Sequence, residues 1–138
     1  MTHTLVDTGP LVALFDGSDT HHEWVKQRFD ELHPPLHTCE PVITEAVFLM
    51  ASKGVALDGL WALLRLGALR IEFSLPDEFD AVARLMRRYS DIPMDLADAC
   101  LVRMSELRKD VRVFTLDTDF KFYRQHGRQM IPLIIPAR

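Results

Sequence analysis

Short apolar runs and longer amphipathic ones alternate along the whole chain. "HTLVD" is a brief β-type run closed by the breaker cluster "TGP". "PLVALF" then reads as a helix and "DGSD" as a loop. Thr20 or Asp19 is placed to cap a helix through "HHEWVKQRFDELH", where Trp24, Val25, Phe29 and Leu32 share one face and Pro34–Pro35 make the stop. "LHTCE" is a second strand. Pro41 suits a first helical position, "VITEAVFLMASKG" continues that helix and Gly54 closes it. "LDGLWALLRLG" is a further helix stopped by Gly67, and "LRIEFSL" alternates as a third strand. "PDEFDAVARLMRRYSD" predicts a helix with Phe79, Val82, Leu85 and Met86 on its inner side. Another helix runs from Asp95 to about Lys109. "VRVFTL" is a fourth strand, "DTDFKFYRQHG" a turn and short helix, and "MIPLII" a fifth strand.

Strands alternating with helices predict an α/β fold with a mainly parallel sheet and helices on both faces. At 138 residues, with no internal repeat, low-complexity segment or linker, a single domain over 1–138 is expected. That length supports a core without disulfide staples. A hydrophobic content of 48% and a charged content of 26% are those of a soluble globular protein. Cys39 and Cys100 lie in unrelated contexts without a CxxC, and read as reduced core-filling thiols in a cytoplasmic protein rather than zinc ligands. "MTHTLVDTGPL" lacks the basic and apolar regions of a signal peptide, and no apolar run nears a membrane span.

Net charge is −4 at pH 7, which argues against holding nucleic acid by bulk electrostatics. It leaves room for an enzyme whose acidic excess is spent on cations. Basic residues gather in the C-terminal half, from Arg84 to Arg128, and read mostly as solvated helix faces.

In parallel sheets, ligands bind beyond the carboxyl ends of the strands, and there the acids collect. Asp7 ends the first strand, in a position that also suits a turn or cap. Glu45 interrupts "VITEAVFLM". It either faces water or, since the run has so few other polar residues, is a buried carboxylate that must be paired, protonated or metal-bound. Asp95 and Asp98 form D-x-x-D. Asp95 is a good N-cap and Asp98 falls at the third helical position, where acids are favoured. Residues three apart also share a helix face, so Asp95 can cap and position while Asp98 ligates. Asp117 and Asp119 sit in "TLDTDF", where a turn accounts for one acid more easily than for both. Oxygen donors without a Cys/His set point to a hard cation, Mg²⁺ or Mn²⁺. The histidines lack ligand spacing, and neither a nucleotide-cradling glycine loop nor a G-x-S-x-G elbow is present.

Taken together and in order, "LVDTGPLVALFD", "TEAVFLM", "PMDLADACLV" and "FTLDTDF" resemble the PIN-domain ribonucleases, and within them the VapC-like toxins of bacterial toxin–antitoxin pairs. The resemblance runs over nearly the whole chain. It implies a three-layer α/β/α sandwich with a parallel sheet of about five strands. It also implies an Mg²⁺- or Mn²⁺-dependent endoribonuclease that hydrolyses RNA phosphodiesters with metal-activated water. The family's acids fall on Asp7, Glu45, Asp98 and Asp117, as catalytic and metal-holding residues. Thr8, Asp95 and Asp119 become accessory positions. The tight "DTD" leaves open whether Asp117 or Asp119 lies nearer the metal. The resemblance further implies a small antitoxin as partner and a homodimer. The apolar "LDGLWALLRLGAL", with Trp61, reads either as core or as a partner surface.

Two other readings remain. A catalytically silent PIN-like RNA-binding or scaffold module would share the fold. A phospho-receiver domain also clusters acids on a doubly wound sheet, but needs an Asp ending its third strand and a Lys beyond its fifth. Here those places read "EFSLP" and "LIIPAR".

Overall fold

The computed structural model describes residues 2–137. Five parallel strands, β1 (His3–Val6), β2 (Leu36–Thr38), β3 (Leu69–Ile71), β4 (Val111–Phe114) and β7 (Leu133–Ile134), form one sheet in the order β3-β2-β1-β4-β7. Helices α1 (Thr8–Phe15), α2 (His22–Glu31), α3 (Glu40–Ser52), α4 (Asp58–Arg65), α5 (Leu75–Arg88) and α6 (Leu96–Glu106) flank it as an α/β/α fold. From β1 the chain steps outward through β2 and β3. It then crosses back by α5 and α6 to place β4 on the other side of β1. The reversal makes a crevice beyond the carboxyl ends of β1 and β4.

The expected strands are all present, but shorter than their apolar runs. β1 and β4 are central and carry the core: Leu5, Val6, Val113 and Phe114 are fully buried. β3 is an edge strand. Of the predicted "LRIEFSL" only three residues pair, because Glu72 turns to His37 (2.7 Å) and Phe73 packs against the core instead of continuing the ladder. The segment after β4 holds the short 3-10 helix Thr118–Lys121 as expected. It is followed by a small antiparallel hairpin of β5 (Arg124–Gln125) and β6 (Gln129–Met130) that the apolar pattern does not reveal.

Helix boundaries follow the stop signals. Gly54 and Gly67, at φ 71° and 75°, terminate α3 and α4 in the left-handed conformation that glycine adopts without strain. The cap of α2 differs from expectation. His21 precedes the helix without a capping side chain, and Asp19 instead accepts from the His21 N–H at 2.8 Å as a turn. On α5, Val82 and Leu85 are buried as expected, but Phe79 is 57% exposed. Its neighbour Glu78 takes the side facing α6 and bonds Arg103 at 2.7 Å, and one residue further round the helix turns Phe79 outward.

Cys39 and Cys100 are buried free thiols. Though far apart in sequence, they lie near enough for each to affect the other's ionisation, where the start of α3 meets α6. No helix among the described residues is long and apolar enough to cross a membrane.

Candidate active site

The parallel pairing of β1 with β4 builds the first part of the site. Val6 lies opposite Phe114, so the next residues, Asp7 and Thr115, leave the sheet side by side. The Asp7 N–H is held by the Phe114 carbonyl at 2.9 Å. Asp7 also caps α1: its Oδ1 accepts from the Thr8 N–H at 2.7 Å. Its Oδ2 accepts from the Thr115 hydroxyl, again at 2.7 Å. Three features thus fix one carboxylate: strand register, helix cap and a threonine. Gly9 permits the close approach of α1 to the loop after β4, since a Cβ there would lie 3.3 Å from Leu116.

Thr8 connects the second acid. Its hydroxyl donates to Glu45 Oε1 at 2.6 Å, tying α1 to α3. Glu45 is half-buried, beside an exposed helix face that includes Phe48 at 69% exposure. Glu45 thus lies between its two readings, neither fully in water nor fully buried. The run is apolar, yet part of it meets solvent.

The D-x-x-D pair closes the crevice from α6. Asp95 Oδ1 accepts from the Asp98 N–H at 2.8 Å, and Asp98 Oδ2 accepts from the Asp95 N–H at 3.3 Å, a reciprocal capping box. The two acids differ in surroundings. Asp95 is exposed and Asp98 is 6% exposed. Asp98 Oδ2 also accepts from the Tyr123 hydroxyl at 3.2 Å. Cap and candidate ligand are therefore compatible roles, held by one box.

Asp117 and Asp119 form a turn of their own. The Asp117 N–H donates to Thr115 Oγ1 at 2.9 Å, and Asp117 Oδ1 accepts from the Asp119 N–H at 2.9 Å. Thr115 thereby bridges Asp7 to the Asp117 loop.

Electrostatics shows which of these groups face one another. Burial pushes Asp7 up to about 6 despite the Thr115 and Thr8 hydrogen bonds, and Asp117 and Glu45 push it further. Burial pushes Asp98 up to about 8, with added repulsion from Asp95, Asp7 and Asp117. Asp117 acts on both buried acids, whereas Asp119 is felt by Tyr123, whose phenol is raised chiefly by burial and by Asp98. Asp7 and Asp117 thus act on Asp98, Asp117 also acts on Asp7, and Glu45 is tied to this group through the Thr8 hydroxyl.

Two residues escaped the sequence reading. Thr115 carries a weak signal, as a hydroxyl at a strand end two places before Asp117. Tyr123 carries none, since its tie to α6 exists only once the segment after β4 has folded back.

A groove of about 1040 Å³ adjoins this crevice. Phe48, Phe73, Leu75 and Leu96 give it an apolar floor, and Glu40, Glu45 and Asp95 an acidic rim.

The donor set suits a hard divalent cation. It is all oxygen, and its buried members carry raised pKa values that a positive ion would lower. Among the described residues, no three Asp, Glu, His or Cys side chains stand already assembled as a metal-holding group. The carboxylates are turned toward Thr8, Thr115 and Tyr123 instead.

A parallel α/β sheet with aspartates at its switch point is a PIN-like arrangement. Residues 4–125 match the PIN domain model, and the chain belongs to the PIN domain family. Among its relatives, Ribonuclease VapC26 of Mycobacterium tuberculosis is 28% identical over 132 residues, spanning 94% of this chain and 93% of that protein. The crystal structure of Mycobacterium tuberculosis VapC20, described as a sarcin–ricin loop cleaving toxin, is similar with a TM-score of 0.74. It shares 20% identity and covers 84% of this chain and 91% of that one, a likeness of fold. The resemblance to VapC-like proteins is thereby borne out.

Proposed function

We propose that this chain is an endoribonuclease of the VapC type, acting as the toxin of a toxin–antitoxin pair and using Mg²⁺ or Mn²⁺. What supports the reading is that Asp7 and Asp98, far apart in the sequence, are both buried carboxyls with raised pKa values, and that Asp117 acts on both. Burying acids together is costly unless a cation or a proton offsets them.

Asp7, Asp98, Asp117 and Glu45 would hold the divalent ion. When bound, it supplies Lewis-acid polarisation of the phosphate and a lower pKa for an attacking water. The chain's own residues do the positioning. Thr115 and the Thr8 N–H hold both oxygens of Asp7. Tyr123 and the Asp95 N–H orient Asp98. Thr8 fixes Glu45. Asp119 braces the Asp117 turn through its N–H.

The same reading extends to partners. A small antitoxin would cover the apolar groove, whose acidic rim suits a cationic side chain. Trp61 at 40% and Leu66 at 81% exposure on and beside α4 offer a surface for a second copy, which favours a partner surface over core for Trp61. The cytoplasm is the proposed compartment.

The test is cleavage of cellular RNA by protein freed of antitoxin, in Mg²⁺ or Mn²⁺ and in EDTA. New RNA ends that require the cation support the enzyme. RNA binding without new ends in any divalent ion would replace it with the silent RNA-binding module.

A further inference from the structure

The carboxylate crevice occupies one end of the sheet. At the opposite end, the starts of β1, β2 and β4 border a cleft of about 870 Å³ with the opposite charge. Arg70, Arg108, Lys109 and Arg112 line it, against one acid, Glu72. In a chain of net charge −4 this is a local reversal. Among the described residues none of these four cations is paired with a carboxylate. Arg70 and Arg112 each place only Nε, on the Gly67 carbonyl at 3.3 Å and on the Thr4 hydroxyl at 3.4 Å.

Two imidazoles sit within this cationic frame. His3 of β1 and His37 of β2 stack with ring centroids 3.9 Å apart and planes 27° from parallel. The His37 side chain is 8% exposed, and its Nε2 lies 2.7 Å from Glu72 Oε1. Its other nitrogen, Nδ1, is buried with no hydrogen-bond partner among the described residues. Burial holds the His37 pKa below its usual value against the pull of Glu72, with Arg108 and Arg70 adding to the depression. The neutral ring donates Nε2–H to Glu72 and leaves the Nδ1 lone pair bare. A buried polar atom without a partner is destabilising and calls for an explanation.

We propose that this cleft is a phosphate-binding site, in which Arg70, Arg108, Lys109 and Arg112 neutralise the anion and His37 Nδ1 completes its hydrogen bonding. Arginine forks match phosphate oxygens, and lysine adds a point charge. A phosphate monoester carrying a proton donates its O–H to Nδ1. A diester has no such proton, so the imidazole takes one from solvent and donates it. The phosphate therefore has two sources: free phosphate or a nucleotide monoester, or the backbone of a nucleic-acid strand. The site does not depend on the cleavage reading, since nothing in it touches the carboxylate crevice.

The test uses the full chain and the imidazole NMR signals of His3 and His37, assigned through His3→Asn and His37→Asn. Inorganic phosphate, 5′-AMP and a single-stranded DNA oligonucleotide are titrated separately, in EDTA so that cation-dependent cleavage is suppressed. Sodium chloride at matched ionic strength is the control. The expected result is a saturable shift of both signals, with the exposed His126 unmoved. Saturation by phosphate and 5′-AMP assigns a free monoester. Saturation by the oligonucleotide alone assigns a strand backbone. An Arg108→Gln, Arg112→Gln double variant should weaken either by about tenfold or more. If that variant fails to fold, the wild-type titration decides alone. Absence of a saturable shift with all three ligands at millimolar concentration, or an equal shift with sodium chloride, overturns the proposal.

Discussion

At the carboxyl ends of β1 and β4 the chain passes into turns and helix starts, and each crossing carries an aspartate that caps the next turn or helix. Around the amino ends of β1, β2 and β4 it carries arginines, a lysine and stacked histidines. Helix α6 runs between the two. Its N-terminus holds the Asp95–Asp98 box, and Arg108 and Lys109 lie just beyond its C-cap, Leu107. Eleven helical residues separate these charges by about 16 Å. The macrodipole favours acids at the first end and cations at the second. Both ends therefore obey the same helix, but they differ in burial. Asp7 and Asp98 are nearly inaccessible, and Asp7 repels the Asp98 carboxylate, while Arg70, Arg108 and Lys109 are exposed. The acid end is held against repulsion, and the basic end is not. Charge sign thus follows local backbone polarity, whereas energetic cost follows burial.

The largest expected effect breaks the acid end. Asp98→Asn keeps the shape and can still accept at the capping box, but removes the carboxylate that a cation would hold in its ionised form. RNA cleavage should fall about a hundredfold or more if Asp98 holds the cation that activates water. Cation-free stability at neutral pH should stay level or rise, because folded Asp98 must hold a proton that the unfolded chain releases and asparagine carries no such penalty. The readouts are initial cleavage rate in Mg²⁺ and thermal midpoint in EDTA. Full activity in this variant would remove Asp98 from the site.

How much of this is legible in the sequence depends on how local the interaction is. Strand positions, Gly54, Gly67 and the D-x-x-D box are encoded within a few residues, and they fold as read. Asp7, Asp98 and Asp117 are visible because an acid directly at a strand or helix end is a local pattern. Phe79 is misplaced because periodicity cannot tell that Glu78 would claim the α6-facing side through Arg103. Thr115–Asp7 and Tyr123–Asp98 join residues 108 and 25 positions apart, and only the strand register and the fold-back after β4 create them. The His3–His37 stack likewise exists only once β1 and β2 pair. Both histidines look idle in a search for ligand spacing.

A second prediction sharpens the contrast by ligand. Mg²⁺ or Mn²⁺ should raise the melting temperature of the wild type, since a cation that binds only the folded state stabilises it by mass action, about 2.7 kcal/mol at a hundredfold excess over Kd. Asp98→Asn should lose most of that shift. A melting curve indifferent to every divalent ion at millimolar levels would remove the cation from the acid end.

The two ends should also oppose each other in pH. Asp98 is raised from 3.8 to about 8, so its folded form holds a proton that the unfolded chain releases. Its contribution is full below pH 3.8 and is lost as pH rises toward about 8. His3 is lowered from 6.5 to about 4, first by burial and then by His37 and Arg108 against Glu72. Its contribution is full above pH 6.5 and is lost as pH falls toward about 4. In EDTA, Asp98→Asn should remove a downward contribution to stability between about pH 4 and pH 8, and His3→Asn should remove the loss that sets in as pH falls from 6.5 toward about 4. Denaturant midpoints measured across that range check both, and a slope unchanged in either variant removes that group as its source.

The smallest effect separates the two aspartates of one box. Asp95→Asn retains a side-chain oxygen for the Asp98 N–H, and asparagine caps about as well as aspartate, so the stability change should stay within about 0.5 kcal/mol. Asp95 is exposed and reaches the site through its Oδ1 cap on the Asp98 N–H, its charge and its own N–H, and the substitution keeps the first and the last. Cleavage should therefore be largely retained. The charge still matters at one point. After burial, Asp95 is the strongest cause of the raised Asp98 pKa, so removing it should lower the Asp98 titration. In EDTA the loss of stability with rising pH would then be complete at a lower pH than in the wild type, and its total size would shrink. An Asp95→Asn protein as inactive as Asp98→Asn would show that both carboxylates act on the reaction, and that the box cannot be divided into a cap and a ligand.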